Sequence, residues 1–420
     1  MNPKSSVAGI PARVVVTGIG LVTPAGLNRE ASWLRICAGP ATTAWLPQFD
    51  LPFPAAGAPL PMGWNAGEHD PIVALALRAS GEAIAESGLD LSNSDLSRFG
   101  CVIGTSKGGL RSFATAMAME RSQAGASRGA ANDFEARRLW QEFQPNAPAA
   151  AVSMKYGLLG PALCPVAACA TGLVSVQRGV ELIRQGYCDT VLAGSVDASL
   201  QPLVLASFKR LGVLAQRFDD PASACRPFDR RRSGFLIGEG GAIFVLERLD
   251  SALARGSKPY VEWLAGEVAA DPTDMTRMEA QPLSLNRLIG EVVRQSGLSL
   301  AEIDYVNLHG TGTVPNDLCE TRALRQTLGL AANHIACSSL KGTLGHLLGA
   351  AGSVELAATC LAIRDGIVPP TLNLEESDPE CNLDYTPRAA IRRPLSTALK
   401  LSLGFGGHLA AAIVRKWEPI

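Results

Sequence analysis

Arg13-Val14-Val15-Val16-Thr17-Gly18-Ile19-Gly20 is a run rich in β-branched residues that is closed by glycines. A short run that is apolar without alternation predicts a strand buried on both faces. Similar runs recur along the chain, separated by segments with helical spacing of apolar residues, and they predict strands at 98–104, 190–194, 242–247, 305–309, 335–339, 398–405 and 409–415. Strands that alternate with helices favour an α/β fold with largely parallel sheets. The rhythm occurs twice, which indicates a duplication.

The Gly18-x-Gly20 spacing superficially resembles a dinucleotide-binding loop. Such a loop needs a third glycine that opens a helix, and Thr23-Pro24 stands there instead. We therefore interpret this segment as a structural strand. Two regions are predicted outside the central sheet: residues 40–66, rich in Pro, Ala and Gly, as a loop or lid, and Arg111 to Glu142 as an Ala-rich helical cap.

Composition predicts a globular cytoplasmic protein. Of the 420 residues, 47% are hydrophobic and 18% are charged, which allows a large core. A formal net charge of −1 without long Lys/Arg runs argues against nucleic acid or a membrane surface as the main partner. Ten scattered cysteines without a Cys-x-x-Cys pair are typical of reduced thiols and give no support for a metal site. The polar segment Met1 to Pro11 predicts no secretion signal, and no apolar run is long enough to predict a membrane span.

One cysteine stands in a favourable place for a nucleophile. Cys169 lies in Val166-Ala167-Ala168-Cys169-Ala170-Thr171-Gly172, directly ahead of a segment with helical apolar spacing. The free amides and positive dipole of a helix N-terminus favour the thiolate, and small neighbours leave room for a substrate carbonyl. The alternative is that Cys169 is a small core hydrophobe, as most free cysteines are.

Two of the five histidines lie in glycine-rich loops. His309 follows a predicted strand in Asn307-Leu308-His309-Gly310-Thr311-Gly312-Thr313, and His346 lies within the block from Ser339 to Gly352. Glycines let the backbone approach a ligand, and loops at strand ends are where α/β proteins place their sites. Each histidine alone is more often structural, but together with Cys169 they favour catalysis.

The chain resembles the β-ketoacyl-[acyl-carrier-protein] synthases of the thiolase superfamily, and most of all the condensing enzymes that elongate fatty acyl or polyketide chains. The motifs that carry the resemblance span nearly the whole chain: Ala168-Cys169-Ala170-Thr171-Gly172, Arg226-Pro227-Phe228-Asp229, Gly234 to Gly240, His309-Gly310-Thr311-Gly312-Thr313 with Asn316-Asp317, Lys341 to Gly352, and Gly404-Phe405-Gly406-Gly407. The resemblance implies a thiolase fold, in which duplicated βαβαβαββ halves, residues 1–257 and 258–420, form a five-layered αβαβα core.

The resemblance also implies a reaction. Cys169 takes an acyl group from a carrier-protein thioester, and the amides of Cys169 and Phe405 form the oxyanion hole. His309 and His346, as neutral imidazoles, then hydrogen-bond the thioester oxygen of a malonyl group and stabilise the enolate left when carbon dioxide departs. Two histidines, in place of a histidine and an asparagine, indicate the elongating type. No metal and no cofactor is implied beyond the phosphopantetheine of the carrier protein.

Further residues have supporting roles by resemblance. Lys341 orients His346, and Glu355 balances the charge of that lysine. Asp317 fixes the loop of His309. The hydroxyls of Thr311 and Thr313 lie where the malonyl carboxylate or the pantetheine arm binds. The alternatives are a surface Lys/Glu pair and ordinary turn caps.

The chain departs from the family pattern near the gate. Phe405 resembles the family's gating phenylalanine, and Asp271 resembles a gating-loop residue. After Gly406-Gly407, however, His408-Leu409 replaces the usual Thr-Asn. Phe113 is expected at the far wall of the acyl pocket, where a bulky ring predicts that long saturated chains are poor substrates.

The expected partner is an acyl carrier protein. Such a protein is acidic, so Lys209-Arg210 and Arg230-Arg231-Arg232 are candidate docking residues. The resemblance implies a homodimer, and the departures leave open a specialised polyketide or polyene ketosynthase subunit that pairs with a related chain-length partner. A non-catalytic chain-length partner conflicts with the intact Cys169, His309 and His346. A biosynthetic thiolase needs a second cysteine late in the chain, and none follows Phe405.

Overall fold

The structure, a computed structural model, describes residues 12–122 and 130–419. Met1 to Pro11, on which the expectation of no secretion signal rests, and residues 123–129 of the predicted cap lie outside the described residues. The strands in the described ranges are β1 (Val14–Val22), β2 (Ala44–Trp45), β3 (Ala56–Ala58), β4 (Phe99–Gly104), β5 (Ala162–Leu163), β6 (Thr190–Asp197), β7 (Ile237–Gly238), β8 (Gly240–Arg248), β9 (Val261–Ala270), β10 (Tyr305–Asn307), β11 (Ala336–Ser338), β12 (Ile367–Val368), β13 (Ile391–Arg392), β14 (Thr397–Gly404) and β15 (His408–Lys416).

The α-helices in the same ranges are α1 (Arg29–Ala38), α2 (Pro71–Ser87), α3 (Leu110–Ser122), α4 (Ala130–Phe143), α5 (Ala147–Tyr156), α6 (Thr171–Arg184), α7 (Pro202–Arg210), α8 (Leu249–Ala254), α9 (Leu283–Ser296), α10 (Val314–Leu328), α11 (Lys341–Leu344) and α12 (Ala351–Asp365). Across the described part of the chain, no helix has the length and apolar character needed to span a bilayer. The predicted loop or lid at 40–66 contains β2 and β3, which form a small sheet with β7.

The main sheet shows the duplication. Its ten strands run in the order β11-β10-β14-β15-β9-β1-β8-β6-β4-β5. The first half contributes the block β1-β8-β6-β4-β5 and the second half contributes the block β9-β15-β14-β10-β11, each read from the middle of the sheet outward. If the five strands of each half are numbered along the chain, both halves have the order 1-5-4-2-3. With the helices that separate the main-sheet strands, each half follows a βαβαβαββ pattern, and the first half inserts α7 between β6 and β8. The blocks meet where Val14–Val16 pairs with 261–263. The boundary predicted at 257/258 stays a prediction and falls in the loop between α8 and β9.

The sheet is mixed, and the expectation of largely parallel sheets is wrong. Pairs β4–β5, β4–β6, β10–β11 and β10–β14 are parallel, whereas β1–β8, β6–β8, β1–β9, β9–β15 and β14–β15 are antiparallel. A strand covered by helices on both faces is apolar throughout whichever way it runs. The sequence pattern therefore predicts burial but not direction.

The elements stack in five layers, as the resemblance implies. Helices α6 and α12 pack against each other in the middle, and each contacts strands of both blocks. Helices α2 and α5 cover the outer face of the first block, while α9 covers the outer face of the second and packs on α10. The core residues of α12 are buried all round, as expected for a helix between two sheets.

The two central helices begin in the same way. Ala168 and Leu348 have positive φ angles of 46° and 47°, and each opens a single 3-10 turn that leads into α6 or α12. The first turns of the two helices touch: a Cβ on Gly172 would lie 2.3 Å from the amide nitrogen of Ser353. A Cβ on Gly352 would in turn lie 2.6 Å from the amide nitrogen of Leu173. Glycine at both places therefore brings the loops before α6 and α12 together.

Candidate active site

A cavity of about 320 Å³ opens where these loops meet. Residues from both halves line it, and they include most of the side chains predicted from the sequence: Cys169, Asp271, His309, Thr311, Thr313, His346, Phe405 and Leu409. The nucleophile candidate comes from the first half and the two histidines from the second. The site therefore exists only when the two halves are packed together.

Cys169 is a buried thiol, with 9% of the residue exposed. The backbone N–H of Phe405 reaches its sulfur, and a Cβ on Gly404 would lie only 3.0 Å from the amide nitrogen of Cys169. The end of β14 thus presses directly on the turn that carries the cysteine. The amides of Cys169 and Phe405 belong to these two contacting segments, and their role as oxyanion-hole donors stays a prediction.

The expectation of a thiolate at the helix start is wrong for the resting protein. Burial raises the pKa of Cys169 to about 11, and the nearby Asp197 acts in the same direction. The ammonium groups of Lys107 and Lys341 and the amide of Phe405 lower it, but by less. Desolvation of the sulfur outweighs the favourable charges around it, so the sulfur holds its proton at neutral pH.

His346 is held by the backbone around it. Its Nδ1 accepts a hydrogen bond of 3.2 Å from the N–H of Leu348, so the ring proton is on Nε2. The backbone N–H of His346 donates to the carbonyl of Leu236 at 2.7 Å, and the ring of Phe235 meets the imidazole edge-on with centroids 4.8 Å apart. Burial and the charges of Lys341 and Lys107 keep the pKa of His346 well below its usual value.

His309 is oriented by Lys341. The ammonium lies 3.5 Å from Nδ1 of His309 and also donates to the carbonyl oxygen of the same residue. A protonated lysine can only donate, so Nδ1 accepts and the ring proton is on Nε2. Burial, followed by the charges of Lys341, His346 and Lys400, keeps the pKa of His309 well below its usual value. The expectation that Lys341 orients His346 is wrong, because its hydrogen bonds go to His309 and the N–H of Leu348 fixes the other ring.

The two imidazoles form a pair of neutral donors. Their ring centroids are 5.2 Å apart and their planes are inclined by 80°. The Nδ1 of each ring is occupied, and no residue within 12–122 and 130–419 accepts either Nε2–H. An oxygen that develops negative charge between the rings can accept a hydrogen bond from each.

Glu320, which the sequence analysis did not identify, shapes the loop of His309. Its carboxylate accepts the backbone N–H groups of His309 at 2.7 Å and of Gly310 at 2.6 Å. Burial raises the pKa of Glu320 to about 7. Asp317, predicted to fix this loop, accepts from Gly312 at 3.2 Å and from Phe228 at 2.8 Å, so both carboxylates hold it. An acidic residue on the helix after a glycine loop was the available signal for Glu320.

Glu355 bridges two buried lysines. Its Oε1 lies 2.5 Å from Nζ of Lys341, and its Oε2 lies 2.7 Å from Nζ of Lys400. Both lysine side chains have no exposed surface. Burial lowers the pKa of Lys400. Glu355 thus balances the charge of Lys400 as well as that of Lys341. The sequence of the apolar strand around Lys400 does not indicate this contact.

Thr311 and Thr313 face the cavity as a pair. Their hydroxyl oxygens are 2.8 Å apart, and Thr311 also accepts from the N–H of Thr313 at 3.3 Å. The turn-cap alternative therefore holds for Thr311. The predicted contact with substrate stays a prediction for both.

Asp271 ties two loops together at the cavity. Its N–H donates to the carbonyl of Gly407 at 2.8 Å, and its side chain accepts from the N–H of Glu279 at 3.0 Å. Gly406 donates to the carbonyl of Met275 at 2.8 Å. A Cβ on Gly407 would lie 1.9 Å from the carbonyl oxygen of Asp271, so only glycine allows this approach. The loop after β9 and the loop after β14 are expected to move together.

The gate candidate Phe405 lies in the loop after β14. Its ring is 6.3 Å from the ring of Phe208, measured between centroids. His408 begins β15 opposite Gly404 and is not among the residues that line the cavity, which favours a structural role, while Leu409 does line it. The replacement of the usual Thr-Asn thus makes this wall more apolar.

Phe113 does not line the cavity that contains Cys169. Its ring packs at 5.6 Å on Phe143 in the α3–α4 region, and 44% of the residue is exposed. The expectation that Phe113 closes the far wall of the acyl pocket stays a prediction.

The first docking candidates are exposed at the end of α7. Lys209 and Arg210 close this helix, and Gly212, two residues further on, lines the cavity. The ammonium of Lys209 lies 5.7 Å from the ring centroid of Phe53. These two cations are therefore within three residues, along the chain, of a residue that lines the cavity.

The second set is partly neutralised. Arg230 is exposed, whereas Arg231 contacts Glu375 and Arg232 is buried and lies 2.7 Å from Asp378. Arg231 and Arg232 thus hold the loop around Glu375 and Asp378. No group of three or more His, Cys, Asp or Glu side chains suited to a metal ion occurs within 12–122 and 130–419.

Comparisons with known proteins agree on one family. The model of the "Beta-ketoacyl synthase, N-terminal domain" matches residues 64–252, and that of the C-terminal domain matches residues 261–375. The tetracenomycin polyketide synthase ketoacyl synthase alpha subunit of Streptomyces glaucescens is 36% identical over 96% of this chain and 97% of its own. The 3-oxoacyl-[acyl-carrier-protein] synthase 2 of Synechocystis is 35% identical over 97% of this chain and 98% of its own.

A solved structure is also similar over nearly the whole fold. It contains a type II PKS acyl-carrier protein in complex with its ketosynthase bound to the hexaketide. The matched chain is 31% identical, with a TM-score of 0.88, and the match covers 97% of this chain and 100% of that one.

Proposed function

The chain belongs to the beta-ketoacyl synthase family, and from this membership we propose that it catalyses decarboxylative condensation of an acyl group on Cys169 with a malonyl group on an acyl carrier protein. The observation that carries the proposal is the placement of Cys169, His309 and His346 around one cavity, where no described residue accepts the Nε2–H of either ring. The product is a 3-oxoacyl thioester that is two carbons longer than the acyl group.

The first half-reaction is transfer of the acyl group. The sulfur of Cys169 attacks the carbonyl carbon of the acyl-carrier thioester, and the oxygen accepts the amides of Cys169 and Phe405. The carbon–sulfur bond to the carrier breaks, and the cysteine proton ends on the carrier thiol. Because the free thiol is buried and protonated, we propose that this proton leaves only as the thioester enters.

The second half-reaction forms the carbon–carbon bond. The malonyl carboxylate leaves as carbon dioxide, and the electron pair of the broken bond passes to the thioester oxygen, which accepts Nε2–H of His309 and His346. The enolate carbon then attacks the acyl group on Cys169, and the sulfur departs and takes up a proton from solvent. Neutral rings suit the task because they donate without surrendering a proton.

The loops around the cavity control entry in this proposal. Thr311 and Thr313 bind the malonyl carboxylate or the pantetheine arm, and Phe405 swings as the acyl group enters. Lys341, Glu355, Asp317 and Asp271 are positioning residues. The described contacts of Asp271 with Gly407 support a coupled opening of both loops. No cofactor takes part, since the thioesters supply all the bonds that change.

We further propose that an acyl carrier protein docks beside α7. Lys209 and Arg210 are exposed within three residues of Gly212, which lines the cavity, and Arg230 adds a third exposed cation. The similarity to an alpha subunit of a polyketide synthase supports assembly with a related chain-length partner, and a homodimer is the alternative. The predicted cytoplasmic location stays a prediction.

The test uses the purified chain with malonyl- and acyl-carrier protein. Mass spectrometry is expected to find the acyl group on the Cys169 peptide, followed by release of carbon dioxide and a 3-oxoacyl carrier. Cys169→Ala is the matched control and should remove acylation. A chain that is never acylated at Cys169 but remains folded overturns the proposal. Homodimer and heterodimer are separated by the mass of the active complex.

A further inference from the structure

Lys107 is a cation beside the site that the proposed reaction does not use. It lies in the loop between β4 and α3, and 26% of its side chain is exposed. Its ammonium donates to the hydroxyl of Ser106 at 2.6 Å and to that of Ser199 at 3.2 Å. The nearest carboxylate oxygen, on Asp197, is 3.9 Å away. Two of its three N–H donors are therefore engaged with neutral hydroxyls, and the carboxylate is beyond hydrogen-bond distance.

The position of Lys107 is tied to the catalytic loops. The carboxylate of Asp197 accepts the N–H of Gly349 at 3.1 Å, one residue after the N–H that holds His346. It also accepts the hydroxyls of Ser106 and Ser199, which in turn accept from the lysine. Lys107 is thus fixed through Asp197 and the two serines and cannot swing freely away from the site.

Lys107 also faces the aromatic wall next to the gate. Its ammonium lies 6.0 Å from the ring centroid of Phe208, and that ring is 6.3 Å from the ring of Phe405. Phe208 belongs to the apolar cluster that contains Cys169. The charge of Lys107 lowers the pKa of Cys169 more than any other charged group does. The ammonium therefore borders the apolar cluster to which Cys169 belongs, and it does not line the cavity that contains the two histidines.

An acyl group on Cys169 that extends into this apolar cluster passes the cation. A saturated chain removes water from the ammonium and returns no hydrogen bond, which is costly. A chain with an oxygen close to the thioester offers an acceptor to the unused donor, and such charge-assisted bonds are the strong ones. The two kinds of chain differ little in size, so the cation distinguishes them by chemistry.

We propose that Lys107 is a specificity-determining residue that favours acyl groups with a carbonyl or carboxylate oxygen near the thioester over saturated acyl groups. The inference rests on the proposed function, because it concerns the acyl group carried by Cys169.

The test compares two acyl donors of nearly equal size, the N-acetylcysteamine thioesters of 3-oxobutanoate and butanoate. The rate of Cys169 acylation is followed by mass spectrometry of the whole chain, without malonyl donor. The unaltered chain is expected to react at least tenfold faster with the 3-oxobutanoyl thioester. Lys107→Met should bring the two rates within about twofold, and Lys107→Arg, which keeps a donor, should retain most of the preference.

Alkylation of Cys169 by iodoacetamide separates selectivity from simple activation of the thiol. Lys107→Met could slow acylation by both thioesters and alkylation by iodoacetamide by the same factor, so that the ratio of the two acylation rates is unchanged. That result overturns the inference while the proposed function stands. An unaltered chain that prefers butanoyl also overturns it. Failure of the unaltered chain to accept either thioester overturns the proposed function and this inference with it. If Lys107→Met does not fold, Lys107→Leu, which also lacks a donor, provides the same comparison.

Discussion

The N–H of Leu348 donates to Nδ1 of His346, and Leu348 itself has a positive φ of 47°. A branched apolar residue rarely adopts this backbone conformation, so the surrounding structure must hold it there. The result is an imidazole whose tautomer is fixed by the main chain. Lys341 achieves the same for His309 by a side chain. The two rings therefore reach the same state by different means.

Removal of His346 is expected to separate the two half-reactions. In His346→Ala, condensation should fall by 100-fold or more, since one of two donors to the enolate oxygen is lost. Acylation of Cys169 should persist within a few-fold. Carbon dioxide release measures condensation, and the mass of the Cys169 peptide measures acylation. A parallel loss of both, in a variant with an unchanged melting temperature, would contradict the assignment.

Alkylation of Cys169 should be slow at neutral pH. A pKa raised from 9.0 to about 11 leaves about 100-fold less thiolate at pH 7 than an unperturbed cysteine has. The rate with iodoacetamide, mapped to the Cys169 peptide, should therefore climb steadily between pH 7 and pH 10 without a plateau. Cys169→Ser supplies the blank. A plateau that begins near pH 7 would show that the resting sulfur is already ionised.

The ion pairs of Glu355 with Lys341 and Lys400 predict unequal losses of stability when the carboxylate or one lysine is removed. Glu355→Gln leaves Lys341 and Lys400 buried without an anion, and we expect a loss of about 3–5 kcal/mol in the free energy of unfolding. Lys400→Met keeps the Lys341–Glu355 pair neutral and should cost much less. Urea unfolding of both variants measures the difference. The double variant should be more stable than Glu355→Gln alone, and equal losses in both single variants would refute the bridge.

The close approach of Gly407 to Asp271 predicts a large effect from one methyl group. Gly407→Ala combines a positive φ of 74° with a Cβ placed 1.9 Å from a carbonyl oxygen. Gly186→Ala is a matched control, with a φ of 77° and no atom within 4 Å of the added Cβ. The control should lose about 1 kcal/mol from backbone strain alone.

Gly407→Ala should lose clearly more stability and should also slow acylation, since the displaced loop carries the amide of Phe405. Thermal unfolding and acylation rates of the two variants are compared directly. Equal effects in both variants would mean that the loops do not press on each other.

The sequence predicted the family and the five-layered fold, and the comparisons confirm both. It also predicted the residues that meet in the cavity, because Cys169 lies directly ahead of a predicted helix and His309 and His346 lie in glycine-rich loops. It could not predict their partners. Lys400 is one residue of an apolar strand, and its contact with Glu355 depends on packing between β14 and α12.

Where sequence reasoning failed, long-range packing was the cause. The dipole at a helix start is a local effect, whereas the desolvation that raises the pKa of Cys169 comes from both halves. Lys341 is five residues from His346 along the chain and yet binds His309, since α11 directs its side chain toward the neighbouring loop.

The contact between Gly172 and Gly352 has an electrostatic consequence. Two helices whose first turns touch bring the positive ends of their dipoles together, and neither α6 nor α12 has a side-chain cap to offset this. The resting protein therefore carries a local repulsion between like ends. That repulsion falls whenever an anion forms nearby, first at the acyl oxygen and then at the enolate. The electrostatic energy of the site is therefore less favourable in the resting protein than when a substrate oxygen carries negative charge. The fold thus stabilises the charge that forms during the reaction.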